Sequence, residues 1–136
     1  MPSFGPASEA QLATCHPLLV KVLREAIKHM DFTVVEGFRG KEAQNAAYAK
    51  GYSKLPWPLG NHNHSPSTAA DIAPYPVDWS EASRSLERFV YLQGVVWACA
   101  GQLGIPIRQG IDWNRNQDMR DEHGLHDYPH VELFLP

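Results

Sequence analysis

The segment 61–74 constrains the fold most, because it joins a polar loop with two histidines to a short stretch that alternates like a β-strand. In a strand, Asp71 shares one face with two alanines, whereas Ala70 and Ile72 point to the opposite, core side. Zinc binds imidazole nitrogen and carboxylate oxygen. His64 and Asp71 are therefore predicted to be two ligands of a zinc ion.

A second alternating segment near the C-terminus supplies the third predicted ligand. His130 and Glu132 share one face of this strand, with apolar residues on the core side. A catalytic zinc uses three protein ligands and keeps a fourth position for water, and His130 is the predicted third ligand. Asp127 lies three residues earlier, so a bend at Tyr128-Pro129 is needed to bring its carboxylate beside the metal as a general base.

Other polar residues are rival ligands. His62 lies in the same loop as His64 and is the alternative to it. The stretch 112–126 lacks periodicity, as functional loops in compact domains often do. It contains the further candidates Asp112, Asp118, Asp121, His123 and His126. With seven histidines in the chain, a purely structural domain without metal is also an open alternative.

Composition restricts the class of protein. With 136 residues, 43% of them hydrophobic and 20% charged, we expect one globular domain over residues 1–136. The net charge of −3 gives no general attraction to nucleic acid or to anionic membranes. No stretch has the length of a membrane span, and the N-terminus lacks signal-peptide features. We therefore expect a monomer made in the cytoplasm, without membrane insertion, and buried free thiols at Cys15 and Cys99.

The remaining pattern predicts an α+β domain. Amphipathic helices are expected at 17–30 and 41–50, together with a long helix that residues 78–81 cap and Gly104 ends. Ser8 is expected to cap a short helical turn before them. Strands are expected at 32–37 and 105–109 in addition to the two that carry the site. Arg39 lies where the first strand gives way to a helix, a common position for functional groups.

Both site segments resemble the zinc peptidases that cut bacterial cell-wall peptides. This family includes D-Ala-D-Ala carboxypeptidases and the L-alanyl-D-glutamate endopeptidases used as phage endolysins. Its pattern is Ser-x-His-x-x-Gly-x-Ala-x-Asp, followed by a carboxylate three residues before a histidine. The matching residues here are His64, Ala69, Asp71, Asp127 and His130. His62 and Ser67 replace the serine and the glycine of the pattern.

Further similarity covers Gln44 and the stretches 36–39, 51–54 and 110–113, so it spans most of the chain from Phe32 onward. The resemblance implies a small antiparallel sheet that carries the zinc site and packs against two or three helices, as in hedgehog-type domains with a related metal centre. It also implies about one zinc ion per chain.

The resemblance assigns roles to individual residues. The zinc ligands would be His64, Asp71 and His130, and Asp127 would be the catalytic base. Arg39 would stabilise the substrate or its oxyanion. Substrate contacts are expected from residues in the family-like segments, namely Ser53, Asp112 and Trp113.

The implied reaction is hydrolysis of an amide bond in a peptidoglycan stem peptide. We expect an L-alanyl-D-glutamate endopeptidase that acts in the periplasm as a phage endolysin. A D-Ala-D-Ala carboxypeptidase of the same family is the first alternative. The second is a non-catalytic zinc-binding module, against which the presence of Asp127 close to His130 argues.

Overall fold

A four-stranded antiparallel sheet forms the centre of the computed structural model, which describes residues 2–121 and 126–135. The spatial order of the strands is β1-β2-β4-β3, and each neighbouring pair is antiparallel. The strands are β1 (Phe32–Glu36), β2 (Ala69–Pro74), β3 (Ile107–Gln109) and β4 (His130–Leu133). The expected small antiparallel sheet is confirmed.

Three of the four described α-helices share a hydrophobic core with this sheet. The helices are α1 (Pro6–Leu12), α2 (Pro17–Ile27), α3 (Lys41–Ala49) and α4 (Ser83–Leu103). Helix α3 buries only Gln44 and adds nothing to the core. Short 3-10 helices lie at Asn61–Asn63 and Met119–Asp121. The prediction of two or three packed helices is confirmed by α1, α2 and α4.

Two predicted helix starts were wrong. Helix α1 begins at Pro6 with Gly5 as N-cap, and the buried Ser8 hydroxyl instead accepts a hydrogen bond from the amide of Val34 at 3.1 Å. Helix α4 begins at Ser83 with Ala82 as N-cap, and the Asp78 carboxylate instead accepts hydrogen bonds from the Ser80 amide and the Ser85 hydroxyl. Both side chains that were predicted to cap a helix therefore form other hydrogen bonds: Ser8 with a distant strand and Asp78 with nearby serines.

The two faces of the sheet have different chemistry. Ala70 and Ile72 of β2 and Val131 and Leu133 of β4 belong to the hydrophobic core, as predicted. Because side chains alternate along a strand, the residues between them face the other side. That second face carries the polar residues of the site.

None of the described helices combines the length and apolarity that crossing a bilayer requires. Cys15 and Cys99 are buried free thiols, as predicted. Burial raises the pKa of both thiols, which keeps them protonated and unreactive.

Candidate metal centre

Strand register brings two of the predicted ligands together. Asp71 in β2 lies directly opposite His130 in β4, and opposite residues of an antiparallel pair project to the same face. The Asp71 Oδ1 atom is 3.6 Å from His130 Nδ1. The alternation of these two strands is therefore sufficient to place both side chains.

A bulge in β1 adds a third residue to this row. Val34 pairs with Ile72 on the core side, but Glu36 pairs with Asp71, so the register shifts between them. The extra residue of a bulge turns the following side chain to the other face. Glu36 consequently reaches the polar face, where its carboxylate accepts a hydrogen bond from Arg39 Nε at 2.5 Å.

Glu132 fixes the orientation of the His130 ring. Its Oε1 atom lies 2.6 Å from His130 Nε2, and its Oε2 atom accepts from Arg108, the opposite residue in β3. Burial raises the pKa of Glu132, but His130 and Arg108 outweigh it and lower the pKa to about 2. An ionised Glu132 engages Nε2 and leaves Nδ1 of His130 directed at Asp71.

His62 is the third member of the group. It lies in the 3-10 helix Asn61–Asn63 and is buried. Its Nδ1 atom is 2.8 Å from the carbonyl oxygen of Gly37, which can only accept a hydrogen bond and therefore makes Nδ1 the protonated nitrogen. The other nitrogen, Nε2, is thus unprotonated, so its lone pair can bind a metal ion. It lies 3.3 Å from Asp71 Oδ1.

This group fits a metal ion. Ligand atoms of His62, Asp71 and His130 all lie within 4.8 Å of one another. The Nε2 atom of His62 and the Oδ1 atom of Asp71 are buried, and neither has a hydrogen-bond partner among the described residues. Unpaired buried polar atoms are rare in proteins and often mark a missing ion. Two imidazoles and one carboxylate match the donor set of catalytic zinc.

The charges of the group also favour a cation. Burial raises the pKa of Asp71, but His130 and His62 outweigh it and hold the pKa well below its usual range. Burial lowers the pKa of His130, whereas Asp71 and Glu132 raise it to about 9. Both effects show that the carboxylates of this site attract positive charge.

His64 does not join the group, contrary to the expectation from the family pattern. It is exposed and follows the 3-10 helix with an extended backbone. His62 precedes Asp71 by nine positions, two more than in the family pattern, so this chain has a longer loop. The 3-10 turn buries His62 and Asn63 and directs His64 to the surface.

Side-chain hydrogen bonds hold the loop that carries His62. Asn63 Nδ2 donates to the carbonyl oxygen of Arg39 at 3.0 Å and to Gln44 Oε1 at 3.1 Å. The amide of Arg39 donates to the carbonyl oxygen of His62 at 2.7 Å. The start of α3 and the His62 loop therefore form one hydrogen-bonded unit.

Arg39 reaches the site from the end of β1, where the sequence places it. Its side chain is 13% exposed. Besides Glu36, its guanidinium donates to Gln44 Oε1 at 3.1 Å and to Asp71 Oδ2 at 3.3 Å. The guanidinium is thus adjacent to the candidate ligand Asp71 and fixed from three directions.

Asp127 lies beside the group, in the turn that Tyr128-Pro129 was predicted to form. Its Oδ2 atom is 4.0 Å from His130 Nδ1. Burial and the charge of Asp71 raise the pKa of Asp127. The Asp127 amide donates to the carbonyl oxygen of Gly110, and a Cβ atom at Gly110 would collide with the Asp127 carbonyl oxygen. The position of Asp127 therefore requires glycine at position 110.

The three expected substrate contacts differ in placement. The Trp113 ring is half-buried, with its centroid 5.3 Å from that of His130. The Asp112 carboxylate accepts hydrogen bonds from the amides of Asn116 and Gln117, so it shapes the loop that follows. The Ser53 hydroxyl accepts a hydrogen bond from Gln44 Nε2 at 2.8 Å, and the same Gln44 side chain also bonds to Arg39.

The rival ligands do not form a second group within the described part of the chain. Asp118 pairs with the guanidinium of Arg120. His126 Nε2 is buried without a described partner, and its ring contacts Tyr128. His123 and the side chain of Asp121 lie outside the described residues.

Glu132 and Gln44 make central contacts in the site but were not assigned a role from the sequence. Glu132 was placed on the same face as His130, and this spacing of two is the signal that identifies it as the partner of the ring. Gln44 was noted only for family likeness. Its contacts with Arg39, Ser53 and Asn63 depend on tertiary structure, and no local pattern indicates them.

An antiparallel sheet that presents an imidazole and a carboxylate, completed by a second imidazole from a neighbouring 3-10 helix and with another carboxylate beside them, is typical of metal-dependent hydrolases. Comparison with known proteins identifies the family within this class of hydrolases. A family model described as phage L-alanyl-D-glutamate peptidase matches residues 2–134. The chain therefore belongs to the phage L-alanyl-D-glutamate peptidase family.

Two relatives agree with this membership. The L-alanyl-D-glutamate peptidase of Escherichia phage T5 is 39% identical over an alignment of 139 positions, and this alignment covers 96% of each protein. The crystal structure of the L-Ala D-Glu endopeptidase ChiX from Serratia marcescens matches with a TM-score of 0.74 and 25% identity. That match covers 97% of this chain and 90% of the ChiX chain.

Proposed function

We propose that this protein is a zinc-dependent endopeptidase that hydrolyses the L-alanyl-D-glutamate bond of peptidoglycan stem peptides. The supporting observation is the pair of buried, unpartnered atoms, His62 Nε2 and Asp71 Oδ1, beside His130 Nδ1. These three residues would hold about one zinc ion per chain. Membership of a phage peptidase family supports a role as an endolysin at the bacterial cell wall.

The reaction is an attack of water on the carbonyl carbon of the L-alanine residue. A zinc ion held by His62, Asp71 and His130 would supply a Lewis acid for this carbonyl and would make water acidic enough to lose a proton near neutral pH. The Asp127 carboxylate accepts the proton of the attacking water and passes it to the leaving amine of D-glutamate. The C–N bond then breaks to give an L-alanine carboxylate and a free amine.

Arg39 is the proposed stabiliser of negative charge. A guanidinium has five N–H groups, and Glu36, Gln44 and Asp71 engage three of those of Arg39. We assign the other two to the substrate, either to its carboxylate or to the carbonyl oxygen that becomes negative during attack. Fixed donors of this kind are effective because they need no reorganisation during the reaction.

Trp113 and Ser53 are proposed to line the substrate cleft. Trp113 packs on the His130 ring and provides an apolar wall next to the reacting bond. Ser53 is connected to Arg39 through Gln44, so it lies on the same side as the proposed charge stabiliser. Asp112 is proposed to support the Trp113 wall by shaping its loop.

Mass spectrometry of muropeptides tests the proposal. Purified sacculi are digested with zinc-loaded protein and, in parallel, with protein treated with a chelator. We expect new L-alanine carboxyl termini and D-glutamate amino termini in the first sample only. Release of terminal D-alanine would instead identify a carboxypeptidase, and absence of cleavage by zinc-loaded protein would indicate a binding module.

A further inference from the structure

Apolar side chains with exposed or half-buried surface lie on the loop that follows α3, at the end of α3 and just after β1. They are Phe38, Tyr48, Tyr52, Leu55, Trp57 and Leu59, which we call the apolar loop surface. Trp57 is half-buried and the others are exposed. Contiguous exposed apolar residues in a folded protein commonly mark a binding surface.

Two residues of this surface lie close in the chain to residues of the proposed active site. Phe38 directly precedes Arg39, and Leu59 lies three positions before His62. The rings of Phe38 and Trp57 meet edge to face, with centroids 6.4 Å apart, and so join the two ends of the surface.

Gln44 connects the loop to the site from inside the protein. Its Oε1 atom accepts from Arg39 Nη1, and its Nε2 atom donates to the carbonyl oxygen of Leu55 at 2.5 Å and to Ser53 Oγ. Only one side chain therefore separates the loop backbone from the guanidinium. A substrate that reaches Arg39 also comes close to this loop.

The chemistry of the loop suits a sugar. A pyranose ring has a face of C–H groups that packs on aromatic and aliphatic side chains, and a rim of hydroxyls that need polar partners. The segment 48–59 offers both kinds of partner, because Lys50 and Lys54 lie between its apolar residues and no acidic residue is present.

We propose that the apolar loop surface binds the amino-sugar strand to which the stem peptide is attached. The inference rests on the proposed function, because the L-alanine of a stem peptide is joined directly to a sugar through its lactyl group. In intact peptidoglycan, the bond after L-alanine therefore has a sugar within about one residue of it. The surface extends specificity from the peptide to the glycan.

Other exposed apolar residues lie away from the candidate metal centre and can serve as controls. Tyr75 and Trp79 follow the C-terminal end of β2, whereas Asp71 lies near the start of that strand. Four residues of extended chain, or about 13 Å, separate Tyr75 from Asp71. Tyr91 is also exposed, on α4, and has nearly the same exposure as Tyr52, at 71% against 73%.

The test compares two substrates that differ only in the sugar. Zinc-loaded wild type, Tyr52→Ala and the matched control Tyr91→Ala are assayed on a disaccharide-tetrapeptide and on the same tetrapeptide without sugar. We expect Tyr52→Ala to raise KM for the sugar-bearing substrate about five- to tenfold, with kcat unchanged. The sugar-free substrate should be cleaved as by wild type, and Tyr91→Ala should alter neither. Leu59→Ala should show the same selectivity, with about a threefold change.

The other outcomes separate the two proposals. Equal losses on both substrates, or no loss on either, would overturn the assignment of this surface to the glycan. Loss of binding to phosphatidylglycerol vesicles in Tyr52→Ala, without a difference between the substrates, would assign the loop to a membrane and would also overturn it. Cleavage of neither substrate by the wild type would overturn the proposed function itself.

Discussion

Some residues of the site lie on paired strands and others lie in turns. The positions of the two groups are stabilised by different interactions. Asp71, His130 and Glu132 lie on β2 and β4, whose register is fixed by ladder hydrogen bonds and by the core on the opposite face. His62 and Asp127 lie in turns, where a few individual contacts determine the backbone. Strand register thus provides a frame, and the turns complete the candidate metal centre and add the proposed base.

The contacts in the turns are few and specific. His62 depends on the carbonyl oxygen of Gly37 and on the bonds between Asn63, Gln44 and Arg39. Asp127 depends on the close approach of Gly110. A strand can absorb a substitution through the remaining ladder, whereas each of these turns has little redundancy.

The largest effect is expected from removal of a ligand in the strand frame. Asp71→Ala or His130→Ala should lose bound zinc, and activity should fall by at least about a thousandfold, because the metal provides several kcal/mol of transition-state stabilisation. Metal analysis and turnover of the muropeptide substrate measure both effects. Glu81→Ala, which removes an exposed carboxylate, is the control. A full zinc content in Asp71→Ala would contradict the ligand assignment.

The next effect concerns the base in the turn. Asp127→Ala should lower kcat about 10²- to 10⁴-fold, because proton transfer loses its acceptor, while zinc content stays unchanged. Asp118→Ala removes an ion-paired carboxylate from another loop and should keep full activity. If Asp127→Ala lost zinc but remained active, the assignment of Asp127 as the base rather than a metal ligand would be wrong.

Glu132→Gln separates ring orientation from ligation within the strand frame. The variant keeps the shape of the side chain but loses the charge that engages His130 Nε2. Zinc affinity, measured by competition with a chromogenic chelator, should fall about 10- to 100-fold. The exposed Glu87→Gln should have no effect. Unchanged affinity in Glu132→Gln would mean that the strands orient His130 without help from this carboxylate.

The smallest effect concerns the glycine that permits the Asp127 turn. A methyl group at Gly110 meets the backbone of Asp127, so Gly110→Ala should lower the free energy of unfolding by about 1–3 kcal/mol. Gly101→Ala is the matched control, because it lies in α4 with open space around it and should add about 0.5–1 kcal/mol. Chemical denaturation measures both. Equal stabilities would show that the Asp127 turn can relax freely.

The same division explains what the sequence could predict. Alternation identified β2 and β4, their core faces and the positions of Asp71 and His130, because side-chain direction in a strand follows from local pattern alone. The turn before His130 was also predictable, because proline restricts its own backbone and that of the preceding residue.

The remaining features depend on contacts between distant segments. The position of His62 rather than His64 beside Asp71 depends on a 3-10 turn held by Gly37, just after β1, and by Gln44 of α3, which are distant in the chain. The bulge that turns Glu36 to the polar face depends on pairing with β2. The local pattern predicts a cap at Ser8, whereas its actual partner, the amide of Val34, is distant in the chain and has no local signature.

The most direct test of the account is the zinc stoichiometry of two single variants, His62→Ala and His64→Ala, each measured by metal analysis after dialysis. The structure places the imidazole of His62 against Asp71 and leaves that of His64 exposed. We predict that His64→Ala retains about one zinc ion per chain and that His62→Ala retains none. Retention of zinc by His62→Ala together with its loss from His64→Ala would contradict the account.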